Sequence, residues 1–239
     1  MHQTVTGPTR ALTAEFIGTF SLVFIGAGAA TALGANHDPA VAFAHGLTIM
    51  VFIAAFGDIS GCHINPAVTI GLAAAGEFPS RRIVPYILAQ LAGAIAAGYG
   101  LLYVFGGPVS NLGATLIDTS RITYAGAFAF EALGTFLLVN TVLHTAVRRS
   151  ASLLVPVAIG MTVTMCILGF GVLTGGSVNP ARTIGPAVAS GVYDGILVYL
   201  AAQLVGAACA GVLYRAFWIS DASTTETVPQ REAAADPAE

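Results

Sequence analysis

ISGCHINPAVTIGLAAAG, residues 59–76, lies between two long apolar segments and interrupts them with Asn65, Pro66 and Ala67. Asn is a favoured helix N-cap and Pro suits the first helical turn, so the apolar run that follows should be helical. About twelve residues from Asn65 to Gly76, at about 1.5 Å each, make about 18 Å of helix. That is too short for a hydrocarbon core of about 30 Å and close to half of it. LTGGSVNPARTIGPAV, residues 173–188, repeats the pattern with Asn179, Pro180 and Ala181 and a second short helix to about Ser190. Each segment reads as a re-entrant loop followed by a half-helix. Irregular backbone at membrane depth is tolerated only inside protein or along a wet cavity.

The surroundings support a membrane setting. Of 239 residues, 56% are hydrophobic and only 9% are charged, against about 25% charged in soluble domains. Apolar runs of spanning length recur at roughly 11–34, 41–58, 82–104, 125–147, 153–173 and 195–217. No alternating pattern of the β-barrel kind is present. The fold class expected is therefore an all-α membrane protein with six transmembrane helices and two re-entrant half-helices. Every basic residue is arginine, which suggests a GC-rich bacterial genome. Arg10, Arg81, Arg82, Arg148, Arg149, Arg215 and Arg231 fall on one side of the membrane and only Arg121 on the other. The positive-inside rule then places both termini in the cytoplasm, in the cytoplasmic membrane of the cell. Residues 1–10 form a polar N-terminus, and the run after them lacks a cleavage site, so it is a retained helix rather than a signal peptide. Residues 218–239, rich in Ser, Thr, Pro, Ala and acids, read as a disordered cytoplasmic tail. Cys62, Cys166 and Cys209 lack metal-site spacing and read as small buried residues.

Internal repeats set the architecture of residues 11–217. AEFIGTF (14–20) returns as FEALGTF (130–136), NPA (65–67) at 179–181, and AQLAGAIAAG (89–98) as AQLVGAACAG (202–211). The offsets are 116, 114 and 113. The repeats cover about 11–110 and 125–217. Three spans in each half force the second half to enter the membrane upside down, the inverted repeat of channels and transporters. The two half-helices then meet N-terminus to N-terminus. Each end presents about half a positive charge, and Asn65 and Asn179 offer side-chain N–H groups to a passing oxygen. A solute with an acceptor oxygen is held and a cation is repelled. Arg182, one turn into the second half-helix, is either a fixed cation facing the path or half of a buried ion pair. No nucleophile–base pair, phosphate loop or metal cluster appears, so no enzyme activity, cofactor, metal or nucleic-acid partner is expected.

SGCHINPAVT with GGSVNPARTIGPA, and AEFIGTF with its echo, resemble the aquaporin (major intrinsic protein) family over about residues 11–217. The resemblance implies a homotetramer with one pore per subunit, passing water and small neutral solutes passively through membrane lipid. It also implies a constriction of four positions, which fall here on His45, Ile167, Gly176 and Arg182. This quartet departs from the water-strict pattern, which has an aromatic ring and a span-5 histidine, and from the glycerol pattern. It is most similar to a branch of tonoplast intrinsic proteins and their ammonia-permeable animal relatives. Ile167 and Gly176 take bulk and a donor from the ring. His45 either supplies a donor or acceptor or packs between helices beside Gly46. Thr183 and Ala187 stand where glycerol channels carry an acid and a base. Leu200 stands where water channels usually have Trp, and residues 105–124 contain no histidine.

Glu15 and Glu131 occupy equivalent places in spans 1 and 4. They read either as a proton relay or, as the resemblance implies, as acceptors for the re-entrant loops. His63 either lines the vestibule or packs against its loop. Gln90 and Gln203 read as helix-packing residues. The function expected is a passive water channel, with ammonia and hydrogen peroxide as further solutes. The alternatives are a glycerol or small-polyol facilitator, a proton-coupled carrier and a structural protein with a vestigial pore.

Overall fold

The structure, a computed structural model, describes residues 7–34, 39–148, 152 and 154–219. Eight α-helices occur in it: α1 (Pro8–Leu33), α2 (Pro39–Ser60), α3 (Pro66–Ala75), α4 (Ile83–Phe105), α5 (Tyr124–Val142), α6 (Val155–Thr174), α7 (Pro180–Ser190) and α8 (Ile196–Tyr214). Six of the helical segments are long and apolar enough to cross a membrane. The remaining two, α3 and α7, have 10 and 11 residues, about 15–17 Å, and are the expected half-helices.

Both short helices start and stop for local reasons. The Asn65 side chain caps α3 by accepting from the Ala67 N–H, and Pro66 opens its first turn. Asn179 and Pro180 do the same for α7. Gly76 and Gly191, both left-handed, end them. Helix ends elsewhere match the expected spans within a few residues. At the C-terminal end a π-helical segment, Arg215–Ile219, carries the last span two residues past its expected end at 217. Trp218 stacks on Tyr214 and meets His144 edge-on, which holds that extra turn. The rest of the tail from 220, residues 1–6, and Arg149 and Arg231 lie outside the described residues.

Packing follows the repeat. Helix α1 lies against α4 and α2; its counterpart α5 lies against α8 and α6; α2 and α6 cross at the centre. At that crossing a β-carbon on Gly46 would sit 2.7 Å from the carbonyl oxygen of Gly160. The half-helices exchange partners: α3 packs on α8 and α7 on α4. Each half-helix is thus seated against the last span of the other repeat. Large apolar side chains such as Leu47, Val51, Leu133, Met165 and Leu197 face outward, as lipid-facing helices require.

On the side opposite the arginine cluster, Arg121 pairs with Asp118 at 3.3 Å. The Ser120 hydroxyl, with Arg121 assisting, holds the Asp118 carboxyl below its ordinary range.

Candidate functional site: a channel between two half-helices

Each re-entrant loop hangs from one buried carboxylate. Glu15 accepts from the Ser60 hydroxyl (2.7 Å) and the His63 N–H (2.9 Å) on one oxygen. Its other oxygen accepts from the Ile64 N–H and the Gln90 amide, both at 2.7 Å. Glu131 repeats the set with the Thr174 hydroxyl (2.8 Å), the Ser177 N–H (2.9 Å), the Val178 N–H (2.8 Å) and the Gln203 amide (3.1 Å). The tyrosines Tyr86 and Tyr199 donate to the carbonyls of Ser60 and Thr174. Gln90 also reaches Thr69, and Gln203 reaches Thr183. The two networks correspond residue for residue.

The carboxylates are needed because the loops are strained. Ile64 and Val178 have φ of 45° and 43°, a region that β-branched residues avoid. Such a conformation costs on the order of 1–3 kcal/mol and persists only where its surroundings over-determine it. Turning these residues left-handed aims consecutive N–H groups at one carboxylate. The loop carbonyls then face the other half. Asn65 donates to the Val178 carbonyl and Asn179 to the Ile64 carbonyl, both at 2.9 Å. Each Asn oxygen is meanwhile occupied by its own cap.

A narrow cavity of about 50 Å³ runs past this junction. At about 10–15 Å³ per water on this measure, it has room for only a few waters. His45 and Arg182 line it, together with His63, Asn65, Ser177 and Asn179. The facing wall is aliphatic, including Leu22, Ile49, Leu138 and Val163. Arg182 is 1% exposed. Its Nε donates to Nε2 of His45 at 3.2 Å. Nδ1 of His45 lies 2.9 Å from the Val41 carbonyl. A carbonyl can only accept, so Nδ1 carries the proton and Nε2 is the acceptor, a neutral imidazole. His45 is therefore both a cavity residue and a satisfied side chain.

The other sequence-predicted positions fall as follows. Ile167 and Gly176 touch one another: a β-carbon on Gly176 would lie 2.9 Å from the Ile167 Cα. Neither is among the residues lining the cavity. His63 does both of the things open to it. It lines the cavity, and it bonds Thr69 at 3.1 Å while its ring meets Phe78 and Tyr86. Sequence reasoning missed Ser60, Thr174, Tyr86 and Tyr199, and gave Gln90 and Gln203 only a packing role. A signal was present: each pair recurs at offsets of 113 or 114, in register with the motifs already matched.

Residues 2–214 match the family model described as Major intrinsic protein. The chain is 40% identical over 238 residues to Aquaporin AqpM of Methanothermobacter thermautotrophicus, covering 87% of this chain and 96% of that one. It is 41% identical over 221 residues to the probable aquaporin TIP2-2 of Oryza sativa subsp. japonica, covering 86% of each. Among solved structures, the aquaglyceroporin from Plasmodium falciparum superposes with a TM-score of 0.77 at 27% identity, covering 90% of this chain and 98% of that one.

Proposed function

The chain belongs to the major intrinsic protein family, and from that premise we propose a passive channel for water that also admits ammonia and hydrogen peroxide and excludes ions and protons. The observation that carries the reading is the junction of α3 and α7. Two helix N-termini meet beside a cavity wide enough for a few waters. Each Asn amide has two N–H groups. One is bound across the junction, and the other serves a solute oxygen.

A water that accepts from Asn65 and Asn179 uses its lone pairs there. Its own hydrogens then point away along the aliphatic wall, which offers no acceptor. A chain of hydrogen bonds in one sense, the path for a proton, is broken at that water. The half-helix dipoles add repulsion for any cation at the same level. Arg182 places a fixed positive charge at the constriction and donates to the solute. His45 holds that arginine through Nε2; Ile167 and Gly176, in contact with each other but not lining the cavity, enter the ring on the family resemblance alone. Glu15 and Glu131 act as anchors of the loops, since each carboxylate already accepts four hydrogen bonds. A proton relay through them would have to give up the loops. Likeness to relatives named as aquaporins supports water as substrate. Four copies assemble in the cytoplasmic membrane with both termini inside the cell, as the arginine distribution supports.

The test is osmotic shrinkage of liposomes holding the purified protein, followed by stopped-flow light scattering over a range of temperatures. The expected result is fast shrinkage with an activation energy near that of water diffusion. Rates equal to those of empty liposomes would overturn the reading.

A further inference from the structure

Gly26, buried in α1, lies directly against the imidazole of His45. A β-carbon built on Gly26 would fall 2.5 Å from both Cδ2 and Nε2 of that ring and 2.7 Å from Cε1. These separations are far inside van der Waals contact, so the ring occupies the space that any other side chain would need. It is also held in place. Nδ1 donates to the Val41 carbonyl at 2.9 Å, and Nε2 accepts from Arg182 at 3.2 Å. The ring edge that meets Arg182 is the same edge that rests on Gly26.

The other repeat gives an internal comparison. Gly46 and Gly160 face each other where α2 crosses α6, so the residues before them, His45 and Ile159, correspond. Glu15 and Glu131 correspond through their loops, and the same offset of 116 carries Gly26 onto Val142. Val142 and Ile159 are buried, apolar and line the cavity. Glycine stands only in the half where the neighbouring side chain is a histidine drawn back to hold a cation.

We propose that Gly26 is a positioning residue of the filter: having no side chain, it lets His45 lie back on α1 with Nε2 on Arg182, and so sets the bore and donor pattern of the constriction. The inference rests on the channel reading above. Gly26→Ala does not harm α1 itself, because alanine is the better helix former. It moves the ring off Arg182 and into the cavity that the ring lines.

The experiment compares wild type, Gly26→Ala, His45→Ala and the double variant in liposomes, by water permeability per reconstituted protein and by its activation energy. Once the rate of empty liposomes is subtracted at each temperature, the activation energy of the protein's own share does not depend on how much protein is folded. Gly26→Ala is expected to lower permeability several-fold and raise the activation energy. In the His45→Ala background the same change is expected to do neither, because no ring is left to displace. Wild-type behaviour of Gly26→Ala, or an equal effect in both backgrounds, would overturn the proposal. If Gly26→Ala fails to assemble, recovery of assembly in the double variant supports the clash with His45, and failure in both backgrounds refutes it. Wild-type liposomes that shrink no faster than empty ones would overturn the channel reading and this inference together.

Discussion

Arg182 is a cation in a membrane interior, and its one turn of separation from Asn179 was enough to mark it in the sequence. The resemblance set His45 in the same ring, but the bond between the two was not legible there. His45 lies on α2, and the bond from Arg182 Nε joins two elements whose contact depends on the whole bundle. Removing the guanidinium should widen the constriction and strip its charge. Arg182→Ala is expected to raise the permeability ratio of glycerol to water, measured by light scattering under matched gradients. An unchanged ratio would place the constriction elsewhere. Glu131 makes a sharper stability prediction. Glu131→Gln turns one acceptor oxygen into a donor facing either Thr174 and Ser177 or Val178 and Gln203. Two charge-assisted bonds at about 1.5–3 kcal/mol each are lost. A loss of roughly 3–6 kcal/mol is expected, read as a lower melting temperature in detergent.

At the scale of elements, the half-helices were legible almost to the residue. Cap, proline and length all agreed, and the repeat supplied each signal twice. The loops before them were less legible. Nothing local in Cys62–Ile64 or Gly176–Val178 announces two N–H groups turned towards a carboxylate from another helix; the resemblance implied that role for Glu15 and Glu131, and the matching offsets of Ser60 with Thr174 and Tyr86 with Tyr199 agree with it. The α3–α7 junction yields a prediction in which the cap and the charge separate. Asn179→Asp keeps an oxygen to cap α7 but loses the donor to Ile64 and places a negative charge at the midplane. The half-helix is expected to survive, with circular dichroism little changed, while discrimination against cations falls in a liposome potassium-flux assay. Asn179→Ala loses the cap as well, at about 1 kcal/mol, and is expected to melt earlier than Asn179→Asp.

At the scale of the molecule, Cys62 borders the cavity, whereas Cys166 and Cys209 are not among the residues that line it. The Cys62 sulfur points to α1 at Gly18, and Cys166 points to the Gly134 carbonyl. Cys209 is exposed on α8. Block of water permeability by a polar mercurial is therefore expected to require Cys62, and block that survives Cys62→Ser would overturn this. Inhibition that persists in Cys166→Ser and vanishes in Cys62→Ser would show that the first loop opens far enough to admit it. The arginine distribution makes a separate prediction. A cysteine placed in the tail beyond Ile219 should react with an impermeant maleimide only after the cytoplasmic side is opened.

The exchange of half-helices between repeats bears on how the molecule is made. Helix α3 emerges from the ribosome long before α8, the span it packs against, while α7 finds α4 already in the bilayer. The first re-entrant loop must therefore wait, held by Glu15 and Gln90, until nearly the whole chain has been synthesised. The second can dock as soon as it appears. A nascent chain halted before Ile196 would keep one half-helix without its seat and its polar loop without cover. Insertion thus ends in a single late closing step, and the last span is the latch.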